Sequence, residues 1–285
     1  MSSATESPVT TQVSQRPALG SPLSRLVRIG VARGHVELLQ FSRERDSMVF
    51  IFGFPIILLL IFGSVFDDEI APGVSFRQYF TAGMIASGLM ITSFQSLAIQ
   101  IAIERDDGTL HRLAGTPMPK GAFFLGKIIL VVATATVQTM LLLTMGALFF
   151  GLDLPTDPER WVTFAWLSLL GAATFTLLGI AASGVPRSGR SASAVISPIV
   201  IVGQFISGVF FVYNDLPPWM QQIAAVLPLK WLTQGMRSVF LPDSFAAQEP
   251  AGSWEHGKIA LVLIAWGIVA AVLAMRTFRW HRRSG

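Results

Sequence analysis

Cysteine is absent from this 285-residue chain, which excludes disulfides, thiolate nucleophiles and cysteine-held metals. Charge is scarce too: Asp, Glu, Lys and Arg make up 13% of residues, where an ordinary soluble domain carries about a quarter. The four histidines, His35, His111, His256 and His281, lie in different segments with no i, i+4 partner, so a helical zinc pair cannot form. There is no G-x-S-x-G elbow and no H-E-x-x-H. A membrane-embedded enzyme therefore finds no catalytic constellation here, and no cofactor is expected in this chain.

A nucleotide-binding loop is missing as well. Residues 121–127, GAFFLGK, match the spacing G-x-x-x-x-G-K, but Ile128 stands where such a loop needs Ser or Thr for Mg²⁺. The intervening AFFL is apolar, and a membrane helix has its N–H groups already paired, so no phosphate-binding nest can form. Any ATP and Mg²⁺ must sit on another subunit.

What is present is apolar length. Hydrophobic residues make up 52% of the chain, and the mean hydropathy is +0.59. Residues 1–22 are rich in Ser, Thr, Gln and Pro and read as a disordered tail, not a signal peptide. Six runs then approach the roughly 20 apolar residues needed to cross a bilayer. They are 47–66, 79–103, 121–150, 161–184, 191–213 and 259–275. In lipid these must be helices, because an open strand leaves backbone groups unpaired. Pro55 and Pro198 are expected to kink spans 1 and 5. The expected fold class is an all-α polytopic membrane protein, with residues 47–285 forming a six-span domain.

Lys and Arg set the expected orientation. With six spans both termini share one side, and that side holds 16 of the 21 basic residues against 5 on the other. The positive-inside rule places both termini in the cytoplasm. Lipid is the expected surrounding, and nucleic acid is not an expected partner.

Two segments do not span. Residues 23–46 place Leu23, Leu26, Val27 and Val31 on one helical face and Arg25, Arg28 and Arg33 on another. This predicts an amphipathic helix in the cytoplasmic interface, although Glu37 spoils its apolar face. Residues 214–240 carry two helical stripes separated by Pro228, which predicts paired outer helices dipping into the outer leaflet. An outer loop with surface helices fits the same stripes.

Between spans 2 and 3 lies ERDDGTLHRLAGTP, residues 104–117, a charged island between apolar runs. Asp106 and Asp107 suit the start of a helix, and Leu110, Leu113 and Ala114 make a small apolar face. Gly115 suits the C′ position, and Pro117 forbids continuation. The result is a helix of about two turns, too short to stand alone in water and in need of a partner or its flanking spans. It reads either as a knob for a cytoplasmic partner or as a plain turn.

Spans 2 and 5 carry the mixed side chains that a path for amphipathic compounds would use: Met90, Phe94 and Gln95, with Gln204, Phe205 and Phe211. Ordinary packing between helices accounts for the same residues. No acidic residue sits mid-span, which weighs against a proton-driven secondary transporter or channel working alone.

The chain resembles the type-2 ABC export permeases, and within them the daunorubicin/doxorubicin-resistance permease group of actinobacteria. The resemblance runs from residue 23 to residue 283. It is carried by Glu104, Arg105, Gly108, Thr109, Leu110, Arg112, Leu113, Thr116 and Pro117, and by Pro228, Leu229 and Arg237 in the outer region. It implies a half-transporter in a bacterial plasma membrane. Two permeases, identical or paralogous, would pair through spans 1, 2 and 5. A separate cytoplasmic ATPase dimer would drive export of a drug, antibiotic or lipid. The helix after span 2 would then be the coupling helix, with Glu104 anchoring its start.

Overall fold

The computed structural model describes residues 21–66 and 68–278. Most of the polar tail expected at 1–22 lies outside these residues, as do Arg279, Arg282 and Arg283 from the charge count.

The chain is all-α and polytopic, with six helices long and apolar enough to cross a membrane. Helix α1, Pro22–Arg43, opens on Ser21, whose hydroxyl accepts from the Ser24 N–H. The first long apolar helix, α2, covers Arg45–Val65 and contains a widened π turn at Val49–Gly53. That turn ends just before Pro55, where the proline withdraws an N–H from the ladder. A short antiparallel pair follows, β1 Glu69–Ala71 and β2 Val74–Ser75. Helix α3, Phe76–Asp106, starts on a reciprocal cap between Ser75 and Gln78 and has its own π turn at Ile91–Ser96. Then come α4 Thr109–Ala114, α5 Lys120–Phe149 and α6 Pro158–Ala182. Helix α7, Gly189–Ile206, is capped by Ser188 and contains Pro198. Two short helices, α8 Pro218–Val226 and α9 Pro228–Phe240, precede α10 His256–Thr277.

The core is centred on α3. Most of its apolar face is buried, with Phe80, Met84, Ile85 and Leu89 packed among Leu142, Leu167, Leu232 and Met236. Helix α9 is buried along its whole length against α3, α6 and α10. The surface-helix alternative for residues 228–240 is thereby excluded. Irregular backbone around such a helix is tolerated because it is enclosed in protein.

Span 5 is shorter than the apolar run. The helix stops at Ile206, and residues 207–212 unwind before a 3₁₀ turn at Tyr213–Asp215. Gly208 takes a left-handed φ of 74°, and a Cβ there would lie 3.1 Å from the Tyr79 hydroxyl. Thr233 donates to the Ser207 carbonyl (2.8 Å), so α9 supplies a partner that the lost helical turn would have provided.

Helix α1 is not an isolated interfacial helix. It runs alongside the start of α5 in the same direction, with Leu26 at Gly121, Gly30 at Leu125 and Gly34 at Ile129. A Cβ on Gly30 or Gly34 would come within 2.9 Å of those side chains, so the glycines permit the close approach. Leu23, Val27 and Val31 remain exposed, and so does Arg28.

Candidate functional site

The site begins where α3 ends. Asp107 closes the helix, and Gly108, at φ 78°, turns the chain back in a conformation that a side chain would resist. The Asp107 carboxylate accepts from the Thr109 N–H (2.8 Å) and starts α4. Arg112 folds back to donate to the Thr109 hydroxyl (2.9 Å). The left-handed glycine thus stands before the helix. Gly115, expected in that role at the other end, keeps a right-handed backbone of φ −79°.

The apolar face of α4 points into the protein. Leu110 is fully buried among Leu97 and Ile101 of α3, Phe123 and Val131 of α5 and Ile180 of α6, and Leu113 packs half-buried on the same cluster. What α4 presents outward is His111, Arg112 and Ala114, and the exposed strip continues past its end through Gly115, Thr116 and Pro117. A partner here meets a polar strip, not a leucine knob.

The two residues before the turn are braces. Arg105 donates to the carbonyls of Ser183 (2.7 Å) and Pro186 (2.8 Å), and the Asp106 carboxylate accepts from the Gly189 N–H (3.1 Å) at the start of α7. The end of α3 therefore holds the α6–α7 turn.

Beneath α4 lies a buried ion cluster. The Lys127 ammonium sits 2.6 Å from Glu104 and 2.9 Å from Glu37. Arg33 bridges Glu37 at 2.6 Å and Glu104 at 3.5 Å, and the Gln100 amide donates to Glu37 (3.1 Å). Lys127 and Glu37 are wholly buried, and Glu104 is 8% exposed. Glu104 thus clamps α1 and α5 to α3. The GAFFLGK lysine is held by two carboxylates, and Arg33 of the expected basic face is turned inward. Sequence reasoning missed Glu37 and Lys127. The available signal was a pair of charges, Arg33 and Glu37, one helical turn apart.

Beside the cluster runs a groove of about 780 Å³ between the α1–α2 junction, α3, α5 and α7. Glu104, Gln100 and Gln95 of α3 line it, with Thr134 of α5 and Ser197 of α7.

Residues 34–241 match the family described as ABC-2 type transporter. The chain belongs to that family. The inner membrane transport permease YadH of Escherichia coli K12 is 24% identical over 224 residues, which covers 78% of this chain and 86% of YadH. The ycf38 protein of Pyropia yezoensis, named as a transport permease, is 25% identical over 234 residues, covering 77% and 78%. YbhR of Escherichia coli K12, whose name describes a multidrug ABC transporter permease, is 20% identical over 173 residues, covering 61% and 46%. This chain is thus a multi-pass membrane permease of ABC transporters, and the family implies an ABC ATPase partner.

The six residues read as a path divide in this ABC-2 permease. Gln95 bonds Ser197 (3.0 Å) and Gln204 bonds Ser87 (2.6 Å), two ties between α3 and α7. Met90 is in the core and Phe94 is half-buried. Phe205 and Phe211 are exposed at the α9 end, their rings 5.9 Å apart. Phe211 lines a separate cavity of about 460 Å³ with Phe66, Phe76, Asp68 and Asp215.

At that end the permease keeps a second buried ion pair. Pro228 begins α9, Leu229 is buried, and Arg237 is fully buried 2.7 Å from Glu249 and over the Tyr79 ring at 4.8 Å. Lys230 lies against the Trp231 ring at 3.8 Å, and burial pushes its pKa down to about 8, partly offset by Glu249. Because the folded value lies below the ordinary 10.5, the protonated form opposes folding. That cost is complete below about pH 8 and lessens as pH rises toward 10.5. Thermal melts of the parent and of Lys230→Met should therefore converge between pH 8 and 9.5, the variant being the more stable at the lower pH. A gap that does not change with pH would refute this.

Proposed function

We propose that this chain is the membrane half of an ATP-driven exporter in a bacterial plasma membrane, with both termini cytoplasmic. It moves hydrophobic or amphipathic compounds outward, alongside a second permease that is a copy or a paralogue. The chain itself is non-catalytic. ATP and Mg²⁺ bind the partner ATPase dimer, which seats against the strip 112–117 at the end of α4. The observation that carries this reading is α4 itself. It is anchored by Leu110 in an apolar cluster drawn from α3, α5, α6 and α10, and Arg112, Thr116 and Pro117 are exposed within the family's matched region. The 16:5 distribution of Lys and Arg supports placing this end in the cytoplasm. ATP binding favours the closed ATPase pair, and α4 passes that bias to the spans through its rigid attachment.

The test uses an exposed residue. Arg112→Glu is expected to insert and fold as the parent does, while permease-stimulated ATP hydrolysis in the reconstituted complex falls about tenfold. Unchanged stimulation would remove α4 as the docking element. Leu113 and Glu104 serve less well, because both also support the fold.

A further inference from the structure

We infer that Gln138 is a buried latch left open in this conformer, and that Thr92 of α3 receives it in a second arrangement of the same helices. The inference goes beyond the exporter reading. It concerns how the spans of one subunit hold two states, whatever drives them.

Three observations converge. The first is an amide without partners. Gln138 lies midway along α5 and is 1% exposed, yet neither its Nε2 nor its Oε1 has a hydrogen-bond partner among the described residues. Three glutamines of α3 and α7 differ: Gln95 bonds Ser197, Gln100 bonds Glu37 and Gln204 bonds Ser87, each across to another helix. A buried amide that makes no bond costs the desolvation of both donor and acceptor, and lipid offers neither a substitute. Such a group raises the free energy of this conformer and favours an arrangement in which it is bonded.

The second is a nearby acceptor. The Gln138 side chain lies over Gly88 of α3, where a Cβ would come 3.0 Å from its Cγ and 3.6 Å from its Nε2. One helical turn along the same face stands Thr92, 2% exposed. Its hydroxyl proton is shared between the Gly88 and Leu89 carbonyls (3.0 and 3.1 Å), which leaves the Oγ1 lone pairs free to accept.

The third is a place to move. The π turn of α3 begins at Ile91, directly before Thr92, and α5 packs against it. Such a turn holds one residue more than a regular one, so its migration along the helix re-aims the side chains it crosses. Where α6 meets the turn stands Gly179, and a Cβ there would lie 3.0 Å from the Ser93 and Phe94 carbonyls, so no side chain wedges the turn in place. In the second arrangement the shifted turn carries Oγ1 to Nε2. The bond gained there narrows the gap between the two states, and a smaller input then converts them.

The test uses the purified full chain in nanodiscs. Gln138→Met keeps the length of the side chain and removes both polar atoms. It should raise the melting temperature by about 3 °C, because this conformer is relieved of an unbonded amide. A lower melting temperature would mean that the amide is already satisfied, as by a bound water, and would refute the latch. Because the chain has no cysteine, paired cysteines report approach directly. Gln95→Cys/Ser197→Cys, whose parent side chains bond at 3.0 Å, should form a disulfide promptly under copper phenanthroline. Thr92→Cys/Gln138→Cys should form one about tenfold more slowly, as a minor arrangement requires. No disulfide at all, or one as prompt as the control, would overturn the proposal. These measurements need no ATPase. With ATPase and ATP added, the exporter reading expects the 92–138 disulfide to close faster. An unchanged rate would sink that reading and leave the latch standing on the first two results.

Discussion

Lys127→Met is expected to lower the stability of the permease by about 3–5 kcal/mol, the usual consequence of stranding a buried charge. The side chain is wholly buried, and its ammonium is the closest cation to Glu104, at 2.6 Å, and lies 2.9 Å from Glu37. Removing it leaves two carboxylates facing each other with only Arg33 between them. The measurement is thermal unfolding in detergent together with the monodisperse fraction on gel filtration. The quadruple variant Arg33→Met/Glu37→Gln/Glu104→Gln/Lys127→Met should recover most of the loss, because a cluster removed as a whole leaves no bare charge. A single variant within about 1 kcal/mol of the parent would mean that the cluster is hydrated and screened.

Arg237→Met should cost a similar amount, about 3–5 kcal/mol, at the opposite end of the bundle. Glu249, itself 5% exposed, would lose its 2.7 Å partner, and the Gly208 carbonyl would lose the guanidinium N–H that reaches it at 3.4 Å. Residues 207–212 would then lose part of their support, so local opening should appear there first. Hydrogen exchange resolved along the sequence should show faster labelling across 207–213 in the variant, while α5 stays protected. Pairing the change with Glu249→Gln should restore the melting temperature in large part. If both the single and the double variant melt with the parent, the buried pair is not what holds this end.

The spans were legible because lipid demands long apolar runs, and their ends agree with the helices to within a few residues at most boundaries. Span 5 was the exception. Residues 207–213 are as apolar as a membrane helix, yet Gly208 and the donors of α9 allow them to unwind inside protein. Composition does not separate those two environments. Helix α9 misled in the opposite direction. Lys230, Gln234 and Arg237 look like a water-facing strip, but Lys230 donates to the Gln234 side chain, Gln234 to the carbonyls at 253–254, and Arg237 to the Gly208 carbonyl and the Glu249 carboxylate. Helix α4 showed its Leu110/Leu113 stripe plainly, but periodicity says only that a stripe exists, not whether the apolar surface it meets is its own protein or another. Glu37 is the clearest case. Alone it spoils an amphipathic face, and the approach of Lys127 from 90 residues away, beside Arg33 and Gln100, makes it part of a buried cluster.

The Arg105 and Asp106 contacts have a mechanical consequence. They fasten the end of α3 to the Ser183 and Pro186 carbonyls and to the first N–H of α7, one turn of chain away from α4. A push on α4 is then shared with a tie rod: the foot of α7 must travel with it. Because α7 carries Ser197 against Gln95, and so forms one wall of the groove, a shift at that foot tilts the wall. A stroke delivered at the surface would change the width of the groove before any spanning helix had to bend.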